Sequence, residues 1–198
     1  MEGTAAVKRL CAIFIAALIA GAATDPQIER MDRKLDLIES GRVKPGSVIS
    51  FPIAELNAWS RAKAAEVVPE GLRQPRLELG NGSATAYALI DFLKLRHAAG
   101  VETNWLVAKL IQGEKPVKVA ATIQSANGRA TVHLTRVEIG GLAVSGAPLD
   151  FLIQNFFMPL YPDAKIDKPF KLASSVERIE TNPAEARAVI KTRSPGHR

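Results

Sequence analysis

Between Val117 and Gln124 the chain repeats with a period of two, Val117, Val119, Ala121 and Ile123 alternating with Lys118, Ala120, Thr122 and Gln124 ahead of Asn127-Gly128. A period of two sends the two sets to opposite faces of a strand, and Asn-Gly accepts the left-handed backbone of a tight turn. The chain must therefore double back as Arg129 to Ile139. No helix can carry that pattern.

The same signature occurs upstream. Leu77 and Leu79 alternate with Arg76 and Glu78 up to the turn Gly80-Asn81-Gly82. The return strand, Ser83 to Phe92, places Ala84, Ala86, Ala88 and Ile90 on one side and Thr85, Tyr87 and Leu89 on the other. Shorter strands are expected at Val48 to Phe51, Val176 to Glu180 and Ala186 to Lys191, the last two joined across Asn182-Pro183.

Four helices are expected around these hairpins. Thr24-Asp25-Pro26 supplies an N-cap and a first-turn proline, Ile28, Met31, Leu35 and Ile38 follow at helical spacing, and Gly41 closes the element. It either packs on the domain or stands as a stalk. Pro52 opens a second helix with Ile53, Leu56 and Trp59 on one face, fading near Val68-Pro69. A third, Asn104 to Gln112, is apolar nearly all round through Trp105, Leu106, Val107, Leu110 and Ile111. The fourth follows Gly140-Gly141 and Pro148, carries Leu149, Leu152, Ile153, Phe156 and Phe157 as its stripe, and ends at Pro159 and Pro162. Strand runs separated by a few helices, without regular βαβ alternation, predict an antiparallel α+β fold.

Lys8 and Arg9 precede an apolar run from Leu10 to Ala20, and Ala20-Gly21-Ala22 fits a small-x-small cleavage pattern. The run is shorter than the roughly 18 apolar residues that span hydrocarbon. We expect residues 1–22 to be a signal peptide, with an uncleaved anchor as the alternative, and the folded part to be exported, periplasmic or otherwise extracytoplasmic. Residues 23–46 then form an N-terminal helix and linker, 47–192 one domain and 193–198 a disordered tail.

The chain's single cysteine, Cys11, lies inside that apolar run, without a lipobox. The expected mature chain thus lacks disulfides, thiolate metal sites and thiol nucleophiles. The 198 residues are 47% hydrophobic and 23% charged, which suits a folded domain. Removing Glu2, Lys8 and Arg9 leaves 24 basic and 19 acidic side chains, a net of +5. Such a surplus favours anionic partners, and export makes these lipid or the membrane surface and not nucleic acid. A solvated surface explains the surplus equally.

Catalytic patterns are absent. Neither Gly82-Ser83-Ala84 nor Val144-Ser145-Gly146 completes a nucleophile elbow. His97, His133 and His197 form no ligand pair, so no metal is expected, and Gly80-Asn81-Gly82 lacks the third glycine and following helix of a phosphate cradle. Asn81-Gly82-Ser83 matches a glycosylation sequon, which its turn role explains. Glu55, Asp91, Glu102 and Asp150 are scattered carboxylates that the sequence cannot pair across a cleft, which leaves a carboxylate hydrolase open but unsupported, and no cofactor is implied.

Large apolar side chains remain, concentrated on short helices: Leu56 and Trp59; Trp105, Leu106 and Leu110; and Leu149 to Phe157. Helices covering one sheet face produce such stripes as an ordinary core. A ligand groove produces them too, and the small residues Ala84 to Ala88 leave room beneath them that is costly to keep empty.

The order of elements, with Ile53-Ala54-Glu55-Leu56-Asn57-Ala58-Trp59 as an early helix, long hairpins, Val137-Glu138-Ile139-Gly140-Gly141-Leu142 and a closing strand pair, resembles small bacterial envelope relatives of the tubular lipid-binding (TULIP) superfamily. The likeness spans roughly Ser47 to Lys191 and rests on no diagnostic ligand motif; the chain lacks the length and second half-barrel of larger members. The resemblance implies a curved antiparallel sheet wrapping the helix Pro148 to Met158 as a half-barrel, and a non-enzymatic protein that shelters an acyl chain. The lining would be Leu56, Trp59, Trp105, Leu106, Leu110, Leu149, Leu152, Ile153, Phe156 and Phe157, with Lys94 and Arg96 at the headgroup. The competing expectation is an envelope scaffold or protein-interaction module without a ligand.

Overall fold

The computed structural model describes residues 25–67, 71–94, 112–158 and 165–192. Helix α1, Pro26–Glu39, starts where Asp25 Oδ1 accepts the Gln27 N–H at 2.8 Å, with Pro26 in the first turn. It ends because Gly41 takes a φ of 66°, which lets the Arg42 N–H reach the Leu37 carbonyl and the Gly41 N–H that of Ile38. This paired return is a Schellman motif, and it satisfies carbonyls the helix leaves open.

Strand β1 (Val48–Pro52) leads directly into α2 (Ile53–Val67), followed by β2 (Leu72–Gly80) and β3 (Ser83–Asp91). Next come β4 (Glu114–Ala126), β5 (Arg129–Ile139) and β6 (Leu142–Val144), the helix α3 (Ala147–Leu152), and β7 (Phe170–Lys171), β8 (Val176–Asn182) and β9 (Glu185–Ile190). All pairings are antiparallel. One sheet has the order β1-β9-β8; the other runs β2-β3-β4-β5-β6, with β7 joined to the start of β5. The α+β class read from the sequence is therefore the class of this structure.

Both hairpins turn where the sequence places them. Ala126 pairs with Arg129 across Asn127 and Gly128, whose φ values of 53° and 71° match the twist of the flanking strands. Register is kept by two irregularities. In β5, Thr135 is an extra residue between the pairs Ala120–Arg136 and Ala121–Leu134, so Val132 and Leu134 before it and Val137 and Ile139 after it share the inner face. In β2, an edge strand, the shift between Arg73 and Arg76 absorbs Pro75, which has no N–H to donate. On the outer face Arg76, Tyr87, Lys118 and Glu138 stand in one row, with the Arg76 guanidinium 4.1 Å from the Tyr87 ring centre.

The two sheets meet where β8 crosses the hairpin tips. Ser125 Oγ donates to the Ile179 carbonyl and accepts the Ile179 N–H, both at 2.7 Å. The Gly82 and Gly128 N–H groups donate to the carbonyls of Thr181 and Glu177. The edge of β8 that β9 leaves open is thus covered instead of being offered to another chain.

The main core lies inside this corner, with Met31, Ile38, Phe51, Trp59, Phe170 and Ile190 buried. A smaller cluster gathers at the far end, where Phe92 packs with Leu72, Ile90, Val117, Ile139 and Leu152. The helices packed against the main core are α1 and α2. The expected wrapped helix, Pro148 to Met158, is different: α3 has no buried residue, and a π-helical turn, Ile153–Phe157, follows it, with the Met158 N–H bonded to the Ile153 carbonyl. A π turn takes more residues than an α turn, so the later apolar positions rotate away from those before it. Phe151 on α3 is exposed. The expected helix Asn104 to Gln112 falls on residues 104–111, outside the described residues.

Candidate apolar cavity

The interior of the main core is not filled. A cavity of about 170 Å³ lies between the two helices and the two sheets. Helix α1 contributes Met31, Leu35 and Ile38, and α2 contributes Leu56, Trp59 and Ser60. The strands add Leu77, Leu79 and Ala84 from the first hairpin and Ile123 and Val132 from the second. Phe51, Ala186 and Ala188 close it from the smaller sheet, and Val176, Ile179 and Thr181 from β8. Trp59 is only 2% exposed, yet among the described residues no large side chain falls below that value.

A small residue facing a large one across a gap explains the space. Ala84, Ala186 and Ala188 are the small strand residues of a lining that also holds the large side chains of Trp59 and Leu56. Enclosed, empty apolar volume costs about 24 cal/mol per Å³, and because this space is partly open, about 4 kcal/mol is an upper bound on its cost. Its size is close to that of an engineered apolar cavity, about 150 Å³, that stays dry and takes up benzene.

The lining offers almost no polar handle. The Ser60 hydroxyl donates to the Asn57 carbonyl at 3.1 Å and the Thr181 hydroxyl to the Gly80 carbonyl at 2.9 Å. Arg187 is the one charged lining residue, and its guanidinium is paired with Glu185. Hydrogen bonds from Ser50 and then Arg187 hold the Glu185 carboxyl below the usual carboxylate range. The cavity accordingly discriminates against charged or strongly hydrogen-bonding guests.

A polar clasp holds α1 over it. Glu55 on α2 is buried and receives Arg30 Nε at 2.9 Å and Lys34 Nζ at 2.5 Å, both from α1. Burial alone raises the Glu55 pKa, but the hydrogen bonds and positive charges of Lys34 and Arg30 outweigh it, and the carboxyl titrates below its ordinary value. Two residues further, Asp32 Oδ1 accepts the Trp59 indole N–H. The Lys63 ammonium lies 5.9 Å from the centre of the same indole.

Of the residues expected to line a groove, Leu56 and Trp59 line this cavity. Leu149, Leu152, Ile153 and Phe157 do not: Leu152 belongs to the separate Phe92 cluster, and the others are half-buried on α3 and its π turn. Among the described residues the expected lining is therefore divided, Leu56 and Trp59 standing on the cavity and Leu152 in the Phe92 cluster. Trp105, Leu106, Leu110 and Arg96, and the side chain of Phe156, lie outside the described residues. Lys94 is exposed, its N–H bonded to Asp91 Oδ1, away from the cavity. The contributions of α1, β8 and β9 escaped sequence reasoning, although Met31, Leu35 and Ile38 formed a readable stripe.

Among the described residues no group of three His, Cys, Asp or Glu side chains could hold a metal ion, and no helix is long and apolar enough to cross a membrane. The chain matches no protein-family model, no curated protein and no solved structure.

Proposed function

We propose that this chain is an exported, non-enzymatic protein of the cell envelope that shelters a short stretch of acyl chain, or an apolar ring, in the cavity between α1, α2 and the two sheets. The observation that carries the reading is a space of about 170 Å³ that the side chains leave between the helices and sheets, walled by hydrocarbon, with its hydroxyl protons and its one guanidinium already engaged. Each methylene moved from water into it gains about 0.8 kcal/mol, and filling the space also relieves the cost of vacancy. The signal-like N-terminus supports an envelope setting. The cavity's size suits part of a lipid tail, with the remainder of the molecule outside.

Trp59 provides the test. In a Trp105→Phe variant it is the sole tryptophan, and a fatty acid brominated along its chain should quench its emission saturably. Native mass spectrometry of the chain, expressed with its leader, should show a co-purified hydrocarbon mass. A clean apo mass together with unquenched Trp59 would instead establish a scaffold whose hollow interior serves no ligand.

A further inference from the structure

Positive charge is unevenly distributed among the described residues. Most cations on the sheet faces and helices are neutralised: Arg30 and Lys34 by Glu55, Arg73 by Glu114, Arg76 by Glu78, Lys118 and Arg136 by Glu138, Arg178 by Glu180 and Arg187 by Glu185. At one corner the pattern reverses. Arg42, Lys44, Arg129, Lys171 and Lys191 are all exposed, and none of them pairs with a carboxylate among the described residues.

Backbone contacts bring these five together. Arg129 and Lys171 stand directly opposite each other across β5 and β7. Lys191 Nζ donates to the Ser174 carbonyl and lies over Gly128, where any Cβ would come within 3.1 Å of it. The Gly46 N–H donates to the Lys191 carbonyl, which carries the Arg42–Lys44 turn to the same corner, and Ser175 Oγ ties the corner to the end of α1 through the Ile38 carbonyl. The acids on the adjoining segments, Asp36 and Glu39 at the end of α1 and Glu177 beside Gly128, are fewer than these five cations.

Like charges directly opposite on paired strands are destabilising, and Arg129 and Lys171 place such a pair at this corner. Two exposed aliphatic side chains accompany it: Leu37, whose carbonyl the Arg42 N–H caps, is 40% exposed, and Val48, just after the Lys44 turn, is 54% exposed. Cations mixed with exposed aliphatic groups fit a phospholipid interface, where phosphate meets hydrocarbon. Cavity-lining Ile38, Leu172 and Ala173 lie on the same segments.

We propose that this corner docks on an anionic phospholipid bilayer, with Arg42, Lys44, Arg129, Lys171 and Lys191 facing the headgroups. The proposal builds on the envelope reading but does not require the cavity to be occupied. Vesicles of phosphatidylglycerol and phosphatidylcholine, mixed with full chains that share one N-terminus, test it by co-sedimentation. Arg129→Glu/Lys171→Glu/Lys191→Glu should weaken binding at least about tenfold, and added salt should abolish the difference. Arg61→Glu/Arg73→Glu/Lys115→Glu changes net charge equally at other surfaces and should change binding less than about threefold. Circular dichroism establishes that each variant is folded, and charge neutralisation to Gln replaces any reversal that is not. Equal losses in the two triple variants, no loss in the first, or equal or tighter binding of the parent chain to duplex DNA would overturn the proposal. Trp59 quenching by the brominated fatty acid reads the cavity separately, so either idea can fail alone.

Discussion

Trp59 donates its indole N–H to Asp32 Oδ1 at 2.7 Å, so the ring that walls the cavity also fastens α1 to α2. One side chain couples lid and lining. Asp32→Ala leaves a buried indole N–H without its acceptor and should cost about 1–3 kcal/mol in urea denaturation. The double variant Asp32→Ala/Trp59→Phe should lose less than the two single losses added together, because its second change removes the orphaned donor. Strict additivity would mean that the bond does not join the helices.

The Glu55 clasp predicts an acid-sensitive helix pair. Its carboxyl pKa is lower in the folded chain than in the unfolded one, so its contribution is present above the ordinary carboxylate range and fades as pH falls through the depressed folded value. Glu55→Gln should destabilise the chain by about 1–2 kcal/mol at pH 7, with Arg30 half in solvent, and the difference from the parent should close at low pH. Denaturation midpoints of both proteins between neutral and strongly acidic pH measure this. A gap that persists in acid would assign the effect to packing.

Ser125 joins the sheets through two hydrogen bonds to the backbone of Ile179. Replacing it by Ala strands a part-buried N–H on the open edge of β8, and the expected loss is about 1–3 kcal/mol. Ser40→Ala, which removes an exposed side-chain bond to the Leu37 carbonyl, should cost about 0.5 kcal/mol or less. Hydrogen exchange at Ile179 should accelerate in the first variant alone. Unchanged protection there would mean that the hairpin tips do not hold β8.

The fold was more legible than the site, for a reason that particular residues make plain. Asn127-Gly128 and Gly41 act through their own backbone conformations, so hairpin and helix end can be read within a few positions. Val132, Leu134, Val137 and Ile139 also held the bulge at Thr135 in their broken alternation, a signal that could have been read. The cavity depends instead on which small and large residues distant segments bring to one lining, Ala84 and Ala188 with Met31, Leu56 and Trp59. No local period encodes that. Leu149 to Phe157 reads as one i, i+3, i+4 stripe only for an unbroken α-helix, and a π turn interrupts it at Ile153–Phe157.

Filling the hollow separates a binding cavity from an ordinary core most directly. Ala84 and Ala188 are buried and line it, whereas Ala130 is equally buried but lies outside it. In close packing, small-to-large changes force strained rotamers and cost typically about 1–3 kcal/mol. Ala130→Leu should pay that penalty. Ala84→Leu and Ala188→Leu have vacant volume to enter and should fall within about 1 kcal/mol of the parent, or gain stability, since added methylenes are worth about 0.8 kcal/mol each when they fill a void. The same two variants should lose quenching of Trp59 by the brominated fatty acid. If they destabilise the chain as much as Ala130→Leu does, the interior has no usable space, and if they are stable yet still take up the fatty acid, the ligand binds elsewhere.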